Sequence, residues 1–145
     1  MAGESRNEVS PPPTFRFRAT LFQGLVVPFQ EMSAPDGGAQ VIDDRHGGRA
    51  VVQPRSGSVG SVTLRKGVFE NDDRFRGWFG GIRMNTLPRG TVTIVLLDEA
   101  GATRMTWTLE RARPTRITGA DLAAGGNEVA VESLEIAYET LVITA

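Results

Sequence analysis

At 145 residues the chain has the length of one domain, and with 40% hydrophobic residues it can build a core rather than stay disordered. Its formal net charge of −1 gives no reason to expect nucleic acid or an anionic membrane surface as partner. Cysteine is absent, which removes disulfides, thiolate nucleophiles and cysteine-ligated zinc.

Residues 1–13 are polar, lack the apolar stretch of a secretory signal and end in Pro11-Pro12-Pro13. They are expected to be a flexible tail ahead of a single domain over 14–145. TFRFRATLF (14–22) alternates, with Phe15, Phe17, Ala19 and Leu21 on one face and Arg16, Arg18 and Thr20 on the other. That pattern predicts a half-buried strand. LVVPFQEM (25–32) predicts a second strand, and Pro28, with no N–H to donate, puts it at an edge or a bulge. AQVIDDR (39–45) is a third strand candidate. The glycine-rich, charged stretch over 43–58 reads as a loop that is mobile in isolation, with Asp43, Asp44, Arg45 and Arg49 free to meet solvent or another subunit.

VTLRK (62–66) predicts a strand, after which Gly67 is expected to let the chain leave the sheet. Over 71–82, Phe75, Trp78, Phe79 and Ile82 follow the i, i+3, i+4, i+7 spacing of one helical stripe. Asn71, Asp72 and Asp73 supply a cap and suit the helix dipole, and Gly80-Gly81 is expected to stop the helix. TVTIVLL (91–97) is apolar on both faces and predicts a deeply buried strand. Asp98–Gly101 reads as a hairpin turn into TRMTWTLER (103–111), where Met105, Trp107 and Leu109 share a face. Thr118–Ala124 predicts one helical turn. The last strand breaks period: Val129 and Val131 lie on one face, Leu134, Ile136 and Tyr138 on the other. A strict alternation forbids this without a bulge or a change of packing partner. The expectation is a strand that packs first on one layer and then on another. The sum is a mainly-β domain, a small barrel or sandwich covered by one short helix.

Catalytic chemistry finds little support. His46 is the sole histidine and sits in a polar, glycine-flanked stretch. Asp43-Asp44 and Asn71-Asp72-Asp73 lack the spaced oxygen ligands that a hard cation needs. No phosphate-cradling glycine loop and no Gly-x-Ser-x-Gly elbow occurs. Arg16, Arg18, Arg74 and Arg76 alternate with Phe15, Phe17 and Phe75, but on a strand or amphipathic helix that spacing points arginine outward and phenylalanine inward. No enzyme activity, cofactor or metal is therefore expected. No apolar run approaches the ~20 residues that span a bilayer, so no membrane anchor is expected.

Taken in order, several segments resemble the inner-tube proteins of contractile phage tails and contractile injection systems, including type VI secretion tubes. The resemblance rests on the strand closing on Leu64-Arg65-Lys66-Gly67 and the helix with Phe75 and Trp78. It continues through TVTIVLLDEAGATRMTWTLERARPTRI, with Trp107 and Ala112-Arg113-Pro114, to NEVAVESLEIAYETL, which carries Glu132. FRFRATLF and AQVIDDRHGGR match more loosely. The resemblance implies a barrel that forms hexameric rings, which stack into a hollow tube. A contracting sheath then propels the tube, which conducts cargo. Implied partners are further copies of the chain, the sheath, a baseplate or spike hub, a terminal cap, and lumenal cargo or a tape-measure protein. Assembly in a bacterial cytoplasm within a phage tail or phage tail-like particle follows. Asp43, Asp44, Arg45, Arg49, Arg65, Arg74, Arg76 and Glu132 are candidate contacts between subunits or rings. Gly67, Phe75, Trp78, Phe79, Trp107 and Pro114 are candidate structural anchors. The rival readings are a tube-like baseplate or terminator paralogue and a monomeric β-barrel that binds a small ligand or nucleic acid.

Overall fold

The computed structural model describes residues 15–21, 24–33, 39–45, 49–54, 60–120 and 126–144, with backbone alone over 39–45 and 49–54. The elements in order are β1 (Phe17–Thr20), β2 (Val26–Met32), β3 (Ala39–Arg45), β4 (Arg49–Pro54), β5 (Gly60–Glu70), α1 (Asp73–Met84), β6 (Gly90–Leu97), β7 (Thr103–Thr118), β8 (Glu128–Tyr138) and β9 (Thr140–Thr144). The strands run antiparallel in the order β3-β4-β9-β7-β6-β1-β2-β5-β8, and a further β7–β8 ladder joins the end strand back to β7. Strands β7, β6, β1, β2, β5 and β8 thus close into a barrel, while β9, β4 and β3 leave it from β7 as a three-stranded flap.

β7 makes this possible because it is 16 residues long. Its first part lies between β6 and β9, and its last part, from Arg113, pairs with β8. Arg111, with φ 52°, marks the corner between the two parts. Its Nε donates to Glu139 Oε1 at 2.9 Å, and Glu139 is the residue between β8 and β9. The C-terminal chain therefore changes partner at Glu139: it pairs with β5 up to Tyr138 and with β4 from Leu141.

The break in alternation inside the last strand has a different origin. The register between β5 and β8 is the same on both sides of Lys66 and Glu132, so neither strand carries an inserted residue. Lys66 instead adopts φ 59°. β5 buries Val62 and Leu64 before it and Phe69 after it, and β8 switches in step from Leu134 to Val131. One left-handed residue inverts both strands together.

β5 does not end at Gly67 but runs on to Glu70. Gly67 is opposite Phe29 on β2, and a Cβ at 67 would come within 2.3 Å of Phe29 Cε1. The glycine is needed because an aromatic ring lies across the strand there. β2 is not an edge strand, since it lies between β1 and β5. Its pairing is divided, however: Val26–Phe29 pair with β1 and Phe29–Met32 with β5. Pro28 falls where β1 is the one ladder neighbour, so its missing N–H is tolerated.

Asp72 caps α1, its side chain accepting from the Phe75 N–H at 2.9 Å. The helix passes through Gly80-Gly81 and ends at Met84, where Asn85 adopts the left-handed conformation with φ 58°. Gly81 keeps the helix open to the returning chain, because a Cβ there would meet Leu87 Cδ2 at 2.6 Å. Phe75, Trp78 and Ile82 are buried, and Phe79 packs at their margin. The Phe69 ring joins this face to the barrel, with centroids 4.8 Å from Phe75, 5.5 Å from Trp78 and 6.0 Å from Phe29. The Asp98–Gly101 turn forms as expected, Asp98 Oδ1 accepting from the Ala100 and Ala102 N–H groups. Of the helical turn expected over Thr118–Ala124, Thr118 instead ends β7, and 121–125 lie outside the described residues, as does the 1–13 tail.

Gly67→Ala should lower the unfolding free energy by about 1–3 kcal/mol through overpacking, and Phe29→Leu in the same chain should recover part of the loss. Urea unfolding of the two single variants and the double variant measures the coupling.

Candidate assembly surfaces

The barrel interior is built of aliphatic and aromatic side chains, and among the described residues no charged side chain is buried. No group of three or more His, Cys, Asp or Glu among them is placed to hold a metal ion. His46 lies outside the described residues. What the fold offers instead is surface of three kinds.

The first is the flap. The stretch read as a charged loop over 43–58 is largely a hairpin, β3 paired with β4, which is paired in turn with β9. The register sets Asp43 opposite Val51, Asp44 opposite Ala50 and Arg45 opposite Arg49, with a shift between Val41 and Asp43. Residues 46–48 and 55–59 lie outside the described residues. Among the described residues β3 has no second neighbour, so within them its outer edge is open to a further strand.

The second is the exposed side of α1. Arg76 is exposed, and its guanidinium bonds Asp73 Oδ1 and, at 3.0 Å, Asn71 Oδ1. It closes the start of its own helix. Arg74 is exposed and lines a cleft of about 330 Å³ with Asp73, Gly77, Trp78, Leu87 and Pro88. Trp78 is buried, and its indole N–H meets no hydrogen-bond partner among the described residues. Phe79 is half-buried under Arg83, whose guanidinium carbon stands 5.8 Å from the ring centroid.

The third is the bend at Lys66. Arg65 is exposed, opposite Glu31 on β2 and Ser133 on β8. Lys66 Nζ lies 3.6 Å from Glu31 Oε2. Glu132, also exposed, is in register with Lys66 across the break. The Lys66 and Arg111 corners escape sequence reading because neither residue type favours positive φ. Exposed pairs of this kind add about 0–1 kcal/mol, so they bear on geometry more than on stability. Trp107 and Pro114 are buried on β7, Trp107 with its ring 6.1 Å from Phe17 and Pro114 beside a register shift.

The family described as T4-like virus tail tube protein gp19 matches residues 13–142. The fold is similar to a chain of the sheath–tube complex of PVC, an extracellular contractile injection system, in its extended state. The identity is 26%, covering 100% of this chain and 99% of that one, with a TM-score of 0.57. It is also similar to a chain of the PVC sheath/tube terminator, at 29% identity over 93% and 97% with a TM-score of 0.57. A third similar structure is the tube-terminating cap of the anti-feeding prophage, at 28% identity over 93% and 92% with a TM-score of 0.55. No curated protein matches the chain in sequence.

Trp78→Ala should cost about 3–5 kcal/mol of stability. Arg76→Ala should cost about 1 kcal/mol or less and leave the oligomeric state unchanged. Urea unfolding and light scattering on the same samples check both.

Proposed function

For a chain that belongs to the T4-like virus tail tube protein family, we propose the role of ring-forming subunit of the inner tube of a contractile injection machine. The family is one of structural tail-tube components, and the similar structures are a sheath–tube complex, a tube terminator and a tube cap. The observation that carries the reading is the flap. A closed barrel has no edges left to pair. Among its described residues this chain nevertheless extends β7 into β9, β4 and β3 and stops at a strand with an open side. In a monomer such an edge invites aggregation; between copies it is a place for a second ladder.

In this reading six copies close into a ring and rings stack into a hollow tube. Closed backbone ladders make each subunit stiff, and a sheath that contracts around the tube drives it forward as a rigid body. Cargo or a tape-measure protein occupies the lumen, and a baseplate hub and a cap hold the two ends. The particle is assembled in a bacterial cytoplasm and acts outside it. The hairpin register, with Arg45 opposite Arg49 and two aspartates beside them, supports contact between rings, where a hairpin of the next ring presents the same mixed charges.

The terminator and cap similarities support a second reading, a tube-like subunit whose single ring closes the tube. Negative-stain microscopy and native mass spectrometry of the purified chain separate the possibilities. Stacked rings indicate the tube subunit, and single rings at all concentrations the terminator. A strict monomer at high concentration overturns both.

Arg45→Glu with Arg49→Glu should leave unfolding within about 0.5 kcal/mol of wild type, as surface substitutions do, and shorten or abolish tubes while rings persist. Tube lengths measured on micrographs provide the check; unchanged lengths would remove the hairpin from the contact between rings.

A further inference from the structure

Among the described residues two large apolar side chains are notably exposed, Val26 at 50% and Met84 at 74%. They belong to surfaces of opposite shape. Val26 lines an outward-facing apolar groove of about 490 Å³ together with Phe15, Phe17, Pro28, Val68 and Leu97. The groove exists because β2 parts from β5 beyond Phe29, so that Val26–Pro28 have β1 alone as ladder neighbour. Its rim carries Arg18 and Glu128. Met84 is a knob: the last residue of α1, left projecting where Asn85 turns the chain into the left-handed conformation. Arg83 stands beside it, its guanidinium over the Phe79 ring.

In its own subunit the knob lies away from the Glu128 side of the groove. The start of α1 is tied to the chain just before Glu128, through Asn71 N to Asn127 O at 2.9 Å and Asn71 Nδ2 to Gly126 O at 2.9 Å. Glu128 is therefore beside the beginning of the helix, and Met84 is 11 residues on from Asp73, about 16 Å away along the axis. Glu128 is an exposed carboxylate on the groove rim, and Arg83 is an exposed cation next to Met84.

We propose that the groove receives the C-terminal tip of α1 from a second copy of the chain. Met84 enters among Val26, Pro28 and Val68, and Arg83 faces Glu128. The inference rests on the ring reading and specifies its contact. Because knob and groove are different patches of the chain, the contact is head-to-tail. Such contacts propagate around a ring and close it, whereas a self-complementary patch would stop at a dimer.

The chain has no cysteine, so introduced thiols report one contact each. The experiment places Val26→Cys and Met84→Cys in one chain and treats it with a short bis-maleimide, with each single variant as control. The expected result is a ladder of covalent multimers on a denaturing gel that ends at the closed ring, with both single variants remaining monomeric. Rings visible by microscopy without a ladder would overturn this contact while leaving the ring reading intact, and would leave the groove to a sheath subunit. An untreated wild-type chain that forms no rings would overturn both. Arg83→Glu should abolish rings in a folded protein, and Glu128→Arg added to it should restore them; failure to restore them would overturn the pairing.

Discussion

The structure depends on β7 belonging to two sheets at once. A strand has two edges, and β7 gives one to β6 and divides the other between β9 and β8. If the division failed, the barrel would stay open along β8 or the flap would have no anchor. The corner where the division falls is marked by Arg111 in a left-handed conformation and by the Arg111–Glu139 bond. Each ladder bond has a net worth of about 0.5–1.5 kcal/mol, and closure removes the unpaired edges that would otherwise template aggregation. The price of one strained residue is small beside that.

The helix completes what the ladders begin. Leaving β5 at Glu70 and capped at once by Asp72, α1 places Phe75 and Trp78 on Phe69, which meets Phe29 edge-on. Aromatic contacts of this geometry add about 0.5–1.5 kcal/mol each beyond their area. The Phe29 ring in turn requires Gly67 to have no side chain. Barrel wall, helix and the β2–β5 ladder are thus coupled through one run of rings. The same coupling sets the outer surface: past Phe29, β2 separates from β5 and leaves the apolar groove on the outside. A core contact and a docking surface share one cause.

Much of this was legible from local pattern. Alternation located β1, the apolar run over 91–97 located β6, the helical stripe found Phe75, Trp78 and Ile82 as buried, and Asp98–Gly101 folded as a turn. The misreadings share a feature. Gly67 and Gly80-Gly81 read as chain breakers, yet both segments continue through them. Gly67 and Gly81 are small because Phe29 and Leu87 approach from elsewhere in the chain. Pro28 read as an edge signal, and β2 is interior with a divided ladder. The charged stretch over 43–58 read as a loop because charge and glycine obscure alternation, and pairing with β9 makes it a hairpin.

The sequence by itself determined the elements, the cap, the buried stripe and the absence of thiol chemistry, because each of these depends on neighbours within a few residues. Only the tertiary structure decided how the sheet closes, where β7 divides, why Lys66 inverts two strands together, and that Val26 and Met84 are left exposed. Those depend on which strand lies beside which, and on rings and backbones that meet from distant parts of the chain. Local periodicity carries no record of such meetings.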